Sequence, residues 1–277
     1  MRVGFLGPEG TFNYEALMAV PGAEGFDLRP QANIHATVMA VHEGTVDRAL
    51  VPIENSLEGS VSATLDTLAG DAADVAIVGE TVHPVSHCLI AREGTELEAV
   101  THVVSHPQAN AQCARFVREH LGAAQVVPAA STADAVRTVA DSPEPWAALG
   151  TRLAAGIYGC RVLREAVEDE AGNETRFVWL AREGAAGGGG GPRKTSIVFW
   201  GAGDDAPGWL VRCLSEFAFR GVNLSMIESR PRRLSLGHYM FFADLEGGQG
   251  DAPVREAIEG LRQRAEFVRV LGSYPAA

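Results

Sequence analysis

The chain has 277 residues, 46% hydrophobic and 21% charged, a composition that belongs to a packed globular protein and excludes a disordered one. Its net charge of −12 is uneven: residues 1–183 hold 12 Arg against 25 acids, a balance of −13, and residues 184–277 hold 10 Arg and one Lys against 10 acids, a balance of +1. Neither half has the basic excess that nucleic acid requires, and no apolar run is long enough to span a membrane. The four cysteines, Cys88, Cys113, Cys160 and Cys213, stand too far apart for a zinc pattern or a disulfide framework. Gly7-Pro8 interrupts the N-terminus before a signal-peptide core forms, so a cytoplasmic protein is expected.

In chain order, Val3 to Leu6 reads as a strand entering a glycine turn, and Thr11 is placed to cap a helix running to Ala19. Ala49 to Ile53 is a second strand, and a helix with Val61, Leu65 and Leu68 on one face stops at Gly70. Strands are expected at Val75–Val78, Val85–Ala91 and Val100–Val104. The last leads through Ser105-His106-Pro107 into one helix with Cys113, Phe116, Val117 and Leu121 on its apolar stripe, closed by Gly122. Ser131 and Asp134 form a capping box, and Ala147 to Gly150 is a short strand before another helix. This alternation is the pattern of an α/β domain.

Five consecutive glycines, Gly187 to Gly191, lie in a stretch that reads as a linker (184–193) between a domain of residues 1–183 and one of 194–277. Beyond it come a strand at Thr195–Trp200, a helix at Gly208–Phe219, strands at Val222–Glu228 and His238–Asp244, a helix at Pro253–Ala265 and a strand at Phe267–Leu271. That order, βαββαβ, is the split ferredoxin-like arrangement.

Four polar segments carry the candidate chemistry. Gly4, Gly7 and Gly10 do not match a dinucleotide fingerprint, and Pro8 removes a donor, so the turn before Thr11 suits a small carboxylate better than a pyrophosphate. Glu54-Asn55-Ser56 follows a strand, where ligands of open α/β sheets bind, although Asn55 and Ser56 also suit a plain Asx turn. Ser105 ends a strand, and Gln108 and Gln112 share a helix face, a position where glutamines are more often simply solvated. Asn173-Glu174-Thr175-Arg176-Phe177 sets polar groups before an apolar strand; Arg176 suits a carboxylate partner, either a ligand or one of Glu168, Asp169 and Glu170.

Taken together, the segments Gly7-Pro-Glu-Gly-Thr-Phe12, Val51-Pro-Ile-Glu-Asn-Ser56, Ser105-His-Pro-Gln108 and Asn173-Glu-Thr-Arg-Phe177 resemble prephenate dehydratase over nearly the whole chain. Asn223-Leu-Ser-Met-Ile-Glu-Ser-Arg-Pro231 resembles the regulatory ACT domain of the same enzymes. With no helical segment before Met1, the form without a chorismate mutase domain is expected. The resemblance implies a two-lobed catalytic domain similar to periplasmic binding proteins, with its active site in the cleft, and neither metal nor organic cofactor. It assigns Thr175 to a hydrogen bond on the departing hydroxyl of prephenate. It assigns Asn55, Ser56, Ser105 and Gln112 to substrate binding, Arg176 to a carboxylate clamp and Phe177 to packing support. Thr11 is a weaker substrate contact, and Glu54 or His106 a proton source.

In the C-terminal domain the resemblance implies an L-phenylalanine pocket built from Gly208, Trp209, Leu210, Asn223, Leu224, Glu228, Ser229 and Arg230 at the interface of a homodimer or homotetramer. Two positions depart from the family pattern: Asn13 stands where Ser is usual, and Trp209 where Ala is usual, its indole either narrowing the pocket or facing outward. An arogenate dehydratase, or a non-catalytic amino-acid sensor, is the competing reading.

Overall fold

The computed structural model describes residues 1–184, 191–201 and 206–277; Gly187 to Gly190 of the expected linker lie outside the described residues. The chain opens with β1 (Arg2–Leu6), α1 (Phe12–Met18), β2 (Asp27–Gln31), α2 (Ile34–His42), β3 (Arg48–Asn55), β4 (Gly59–Ser60), α3 (Ser62–Ala69) and β5 (Val75–Pro84). There follow β6 (Cys88–Ala91), β7 (His102–Ser105), α4 (Pro107–Gln112), α5 (Ala114–His120), β8 (Gln125–Pro128), α6 (Thr132–Asp141), β9 (Trp146–Gly150), α7 (Arg152–Ile157) and β10 (Arg161–Arg164). The last elements are β11 (Glu174–Arg182), β12 (Arg193–Trp200), α8 (Trp209–Ala218), β13 (Leu224–Pro231), β14 (Tyr239–Glu246), α9 (Ala252–Arg262) and β15 (Phe267–Pro275).

Two compact units result. The first gathers Met1–Thr37, Asn55–Glu58 and Val82–Thr175, and the second Val38–Glu54, Gly59–Thr81 and Arg176–Ala277. The second unit therefore takes residues from both sides of the glycine run.

In the first unit a five-stranded mixed sheet runs β10-β6-β9-β7-β8, with β7 parallel to β8 and β9, and β6 antiparallel to β9 and β10. Its inner strands β6, β9 and β7 read as mostly apolar runs because helices cover both faces. Leu89, Val103 and Leu149 pack with Cys113, Val117 and Leu121, while Ile90, Val104 and Ala148 pack with Val136, Val139 and Ala154. Separately, β1 and β2 pair in parallel from Arg2 opposite Asp27 to Leu6 opposite Gln31. The helix starts are capped as their sequences suggest: Thr11 accepts from Tyr14 N at 3.2 Å, Ser131 from Asp134 N at 3.0 Å and Thr151 from Ala154 N at 2.9 Å.

In the second unit β3, β11 and β5 lie side by side, and a four-stranded antiparallel sheet runs β13-β14-β12-β15. With α8 and α9 this sheet forms the βαββαβ module, around a core that includes Ile197, Phe199, Phe217, Leu245, Ile258 and Leu261. Two features tie it to β5 and the segment before it. Gly272 lies so close to the Ile77 carbonyl that any Cβ would overlap it. Arg269 donates to the carbonyls of Leu68 at 2.6 Å, Ala72 at 3.2 Å and Val75 at 2.9 Å.

Several expectations are corrected. The helix after Ser105 is two helices, broken at Cys113, whose φ of −118° and ψ of 16° leave the helical region. Strand β5 continues to Pro84, and β6 starts only at Cys88. The strands β2, β8 and β10 gave no signal in the sequence because they are sheet-edge strands with few buried residues, and β2 and β8 carry prolines that an edge tolerates. Trp209 does not face outward. Its indole lies in the module core against Phe199 and Phe241, and its Nε1 donates to the Arg264 carbonyl at 2.9 Å.

Candidate active site

In the first unit the end of β3 and the start of β11 bring Asn55 beside Thr175. The Asn55 side-chain oxygen accepts from the backbone N–H groups of Leu57 and Glu58, both at 3.0 Å, which closes the turn and fixes which way the amide faces. Asn55 Nδ2 then donates to Thr175 Oγ1 at 2.9 Å, to Asn173 Oδ1 at 2.7 Å and to the Glu174 carbonyl at 3.1 Å. Because Thr175 accepts from Asn55, its own hydroxyl hydrogen is directed to another acceptor. Ser56 completes the corner: its Oγ accepts from Glu174 N at 2.9 Å, and its N–H donates to the Glu174 carbonyl at 2.9 Å.

The cluster continues through Asn173, whose Nδ2 donates to Gln112 Oε1 at 3.4 Å. Gln112 Oε1 also lies 3.0 Å from His87 Nε2, and Gln112 Nε2 donates to Glu58 Oε1 at 3.2 Å. His87 is buried with its ring edge-on to Phe12, the centroids 5.0 Å apart, and its backbone N–H donates to Glu168 Oε2 at 2.8 Å. Burial pushes the His87 ring below its usual basicity, against the opposing pull of Gln112 and Glu168, so it stays neutral near pH 7. This unit thus joins Asn55, Ser56, Gln112 and Thr175 of the expected residues. Sequence reasoning assigned no role to Asn173, His87 or Glu58. Asn173 sat inside a quoted motif and Glu58 two residues beyond another, whereas a single histidine in the expected strand Val85–Ala91 carried no signal.

Other expected residues serve local structure. Ser105 is fully buried and donates to the Leu149 carbonyl at 2.7 Å. Thr11 Oγ1 donates to the Leu6 carbonyl at 3.1 Å while capping α1. His106 Nδ1 accepts from Gln108 N at 3.3 Å as the cap of α4. At the substituted position, Asn13 Oδ1 accepts from Leu6 N at 2.6 Å.

The clamp reading of Arg176 is corrected. Its guanidinium, on β11 in the second unit, pairs with Glu54 Oε2 at 3.0 Å, Glu80 Oε2 at 3.0 Å and Asp244 Oδ2 at 2.7 Å. With Nε, Nη1 and Nη2 all engaged and 9% of the side chain exposed, no fork remains for a ligand carboxylate. Burial opposes its charge, but Asp244, Tyr274, Glu80 and Glu54 together hold its pKa above the ordinary value. The suggested partners lie elsewhere: Glu168 holds His87 N, and Asp169 accepts from Arg115 N at 2.8 Å. Lys194 Nζ joins the cluster on Glu80, at 2.7 and 2.9 Å from its two oxygens. Glu54 is thereby part of an ion-pair cluster, and Phe177 is buried in the core.

In the βαββαβ module Gly208 precedes α8 at φ 77°, a backbone conformation suited to glycine, and Leu210 is half-buried against the core. Asn223 Nδ2 donates to Glu246 Oε1 at 2.8 Å, and Leu224 is half-buried at the start of β13. Glu228 Oε2 accepts from Ser60 Oγ at 3.2 Å, and Arg230 forms a two-point pair with Asp66 at 3.0 and 3.1 Å. Ser229 is exposed.

Among the described residues, no group of three or more His, Cys, Asp or Glu is arranged to hold a metal, and no helix is long and apolar enough to cross a membrane. The family model described as prephenate dehydratase matches residues 3–185. A prephenate dehydratase of Mycolicibacterium vanbaalenii is 42% identical over 99% of this chain and 90% of its own length. A crystal structure of prephenate dehydratase from Arthrobacter aurescens in complex with L-Phe superposes with a TM-score of 0.91 at 41% identity, covering 99% of this chain and 90% of that one. A structure described as a novel type of quorum-quenching acylase, GqqA, gives a TM-score of 0.87 at 32% identity, covering 100% of this chain and 98% of that one.

Proposed function

The chain belongs to the prephenate dehydratase family, and from that premise we propose how the amide-and-hydroxyl cluster of its first unit serves the reaction. The enzyme converts prephenate to phenylpyruvate in phenylalanine biosynthesis. The electron pair of the bond to the ring carboxylate enters the ring, CO2 departs, and the 4-hydroxyl takes up one proton and leaves as water. Aromatisation drives the reaction downhill, so the protein must orient the substrate and stabilise the departing oxygen. The observation that carries the assignment is the Asn55-to-Thr175 hydrogen bond at 2.9 Å, which leaves the threonine hydrogen free for the leaving hydroxyl. A threonine is too weak an acid to surrender its proton outright; it stabilises the oxygen as charge develops. Thr175 and Gln112 offer the substrate neutral donors, which suits a dianion in an acidic protein, while Asn55 and Ser56, whose donor hydrogens are taken up within the cluster, hold those donors in place. An amide hydrolase would need a base on its nucleophile. The amide beside Thr175 Oγ1 cannot take a proton, which favours the dehydratase chemistry.

The decisive assay gives purified protein prephenate and, separately, arogenate, and follows phenylpyruvate and phenylalanine. Turnover of prephenate with little of arogenate supports the assignment, preference for arogenate overturns the substrate, and binding without turnover makes the chain a sensor.

Residues 194–277 form a regulatory ACT domain that binds L-phenylalanine near Gly208 and Leu210, and residues 1–183 form a two-lobed catalytic domain. The βαββαβ order and the L-Phe complex of the Arthrobacter aurescens relative support this reading. Calorimetry with L-phenylalanine should give saturable heat, and turnover should fall with it; absence of both overturns the regulation. Trp209 is a core residue, so Trp209→Ala tests stability rather than pocket width. Pairing of these domains makes a homodimer or homotetramer, and light scattering at 29.3 kDa would overturn that.

A further inference from the structure

The hydrogen bonds around Gln112 have a direction that can be followed from a fixed origin. Backbone N–H groups can only donate, so Leu57 and Glu58 compel the side-chain oxygen of Asn55 to face them and its NH2 to face away. That NH2 requires an acceptor in Asn173 Oδ1, which turns the Asn173 NH2 toward Gln112. Gln112 answers with Oε1, because its NH2 in that place would set donor against donor and its oxygen would then face the Glu58 carboxylate. Oε1 of Gln112 therefore also faces His87 Nε2, at 3.0 Å, and the imidazole nitrogen there must carry the hydrogen.

We propose that His87 is a positioning residue for the dehydratase reaction: held as the neutral Nε2–H form, it locks the Gln112 amide with its NH2 outward, so that Gln112 offers the substrate a donor and never an acceptor. The other tautomer would invite the opposite amide orientation and place an oxygen where an anionic substrate needs a hydrogen. The geometry supports the lock from three sides. The ring is 2% exposed, it is wedged edge-on against Phe12, and its Nδ1 has no hydrogen-bond partner among the described residues, so nothing there competes for the proton. Glu168, the charged group that faces it, binds the His87 backbone N–H. Together with Thr175, whose hydrogen is freed by the same Asn55 amide, Gln112 turns a donor to the ligand while its other hydrogen stays on the Glu58 carboxylate. Those two donors suit an oxyanion or a carbonyl oxygen. The inference rests on the reading that Gln112 touches substrate.

Two measurements on the full-length protein test it. Nitrogen-15 correlation spectra of the histidine side chains should show His87 in the Nε2–H form near pH 7; the Nδ1–H form overturns the proposal. Steady-state kinetics with prephenate should show His87→Phe, which keeps the ring and removes the donor, lowering kcat/KM about tenfold. Most of that loss should lie in KM. His87→Gln, which can still donate from the Nε2 position, should recover most of it. A purely structural role would lower Tm in both variants without this split, and would overturn the proposal. Gln112→Glu, which replaces the donor by a carboxylate, checks the underlying reading. If it leaves KM unchanged, Gln112 does not meet the substrate and that reading fails. If it raises KM while His87→Phe does not, the positioning role alone fails.

Discussion

Thr175 and Arg176 are neighbours on one strand, yet they belong to polar clusters of opposite design. Around Thr175 the groups are neutral except for the Glu58 carboxylate on Gln112: two asparagines, a glutamine, a serine and an uncharged histidine, linked by hydrogen bonds that leave donor hydrogens unassigned. Around Arg176 the groups are charged, and the guanidinium is closed by three carboxylates with Lys194 added on Glu80. The first arrangement retains capacity for a ligand; the second has none left. Residue type alone would have ranked them the other way, because an arginine looks like the natural receptor for a dianion.

Substitutions can break or sharpen that contrast. The largest effect is expected from Arg176→Met, which strands Asp244, 1% exposed, without a cation and leaves Glu80, 2% exposed, with Lys194 alone. Removing one member of a buried ion cluster costs about 3–5 kcal/mol. Urea unfolding should register that loss, while KM for prephenate in the folded protein stays close to wild type. A stable variant with a strongly raised KM would restore Arg176 to substrate binding. Thr175→Ala should do the reverse, lowering kcat on the order of 10²–10³-fold with an unchanged melting curve. Retention of a third or more of wild-type turnover would remove Thr175 from the chemistry.

A weaker effect separates the clusters by pH. For Glu80, burial favours the protonated form, but hydrogen bonds from Lys194, Ala277 N and Arg176 outweigh it and hold the carboxyl below its ordinary value of 4.5. A group whose pKa is depressed on folding stabilises the protein fully above its unfolded value and loses that contribution as pH falls through the folded one. Stability should therefore decline below about pH 4.5, and Glu80→Gln should flatten the decline. The smallest change is Ser56→Ala, which removes the acceptor of Glu174 N at a partly wet corner. It should cost about 1 kcal/mol or less, and a larger loss would mean that the neutral cluster is as tightly closed as the charged one.

What the sequence revealed follows the same division. Buried strands such as β7 and β9 were legible as apolar runs, and the caps Thr11 and Ser131 as local chemistry, because both depend on near neighbours. Asn55 and Thr175 were legible through their motifs. The partners of Arg176 were not: Glu54, Glu80 and Asp244 come from β3, β5 and β14, and no periodicity announces a carboxylate that arrives from a distant strand. The donor role of His87 was equally hidden, since it follows from the orientation of three amides, which only coordinates supply. Trp209 was misjudged because a local motif comparison cannot tell a side chain that fills a core from one that lines a pocket.

The fit of Gly272 against the Ile77 carbonyl has a consequence for anyone who would transplant the βαββαβ module to another enzyme. A graft cut at the glycine run would carry β15 away from the surface it was shaped to meet, leaving Arg269 without the three carbonyls of residues 68, 72 and 75 that it now binds. The portable piece is larger than the module: it includes α3 and β5, which in the chain lie more than a hundred residues earlier. A chimera that keeps those two elements with the module should fold where the simple graft does not, so the seam between modules lies well away from the glycine run.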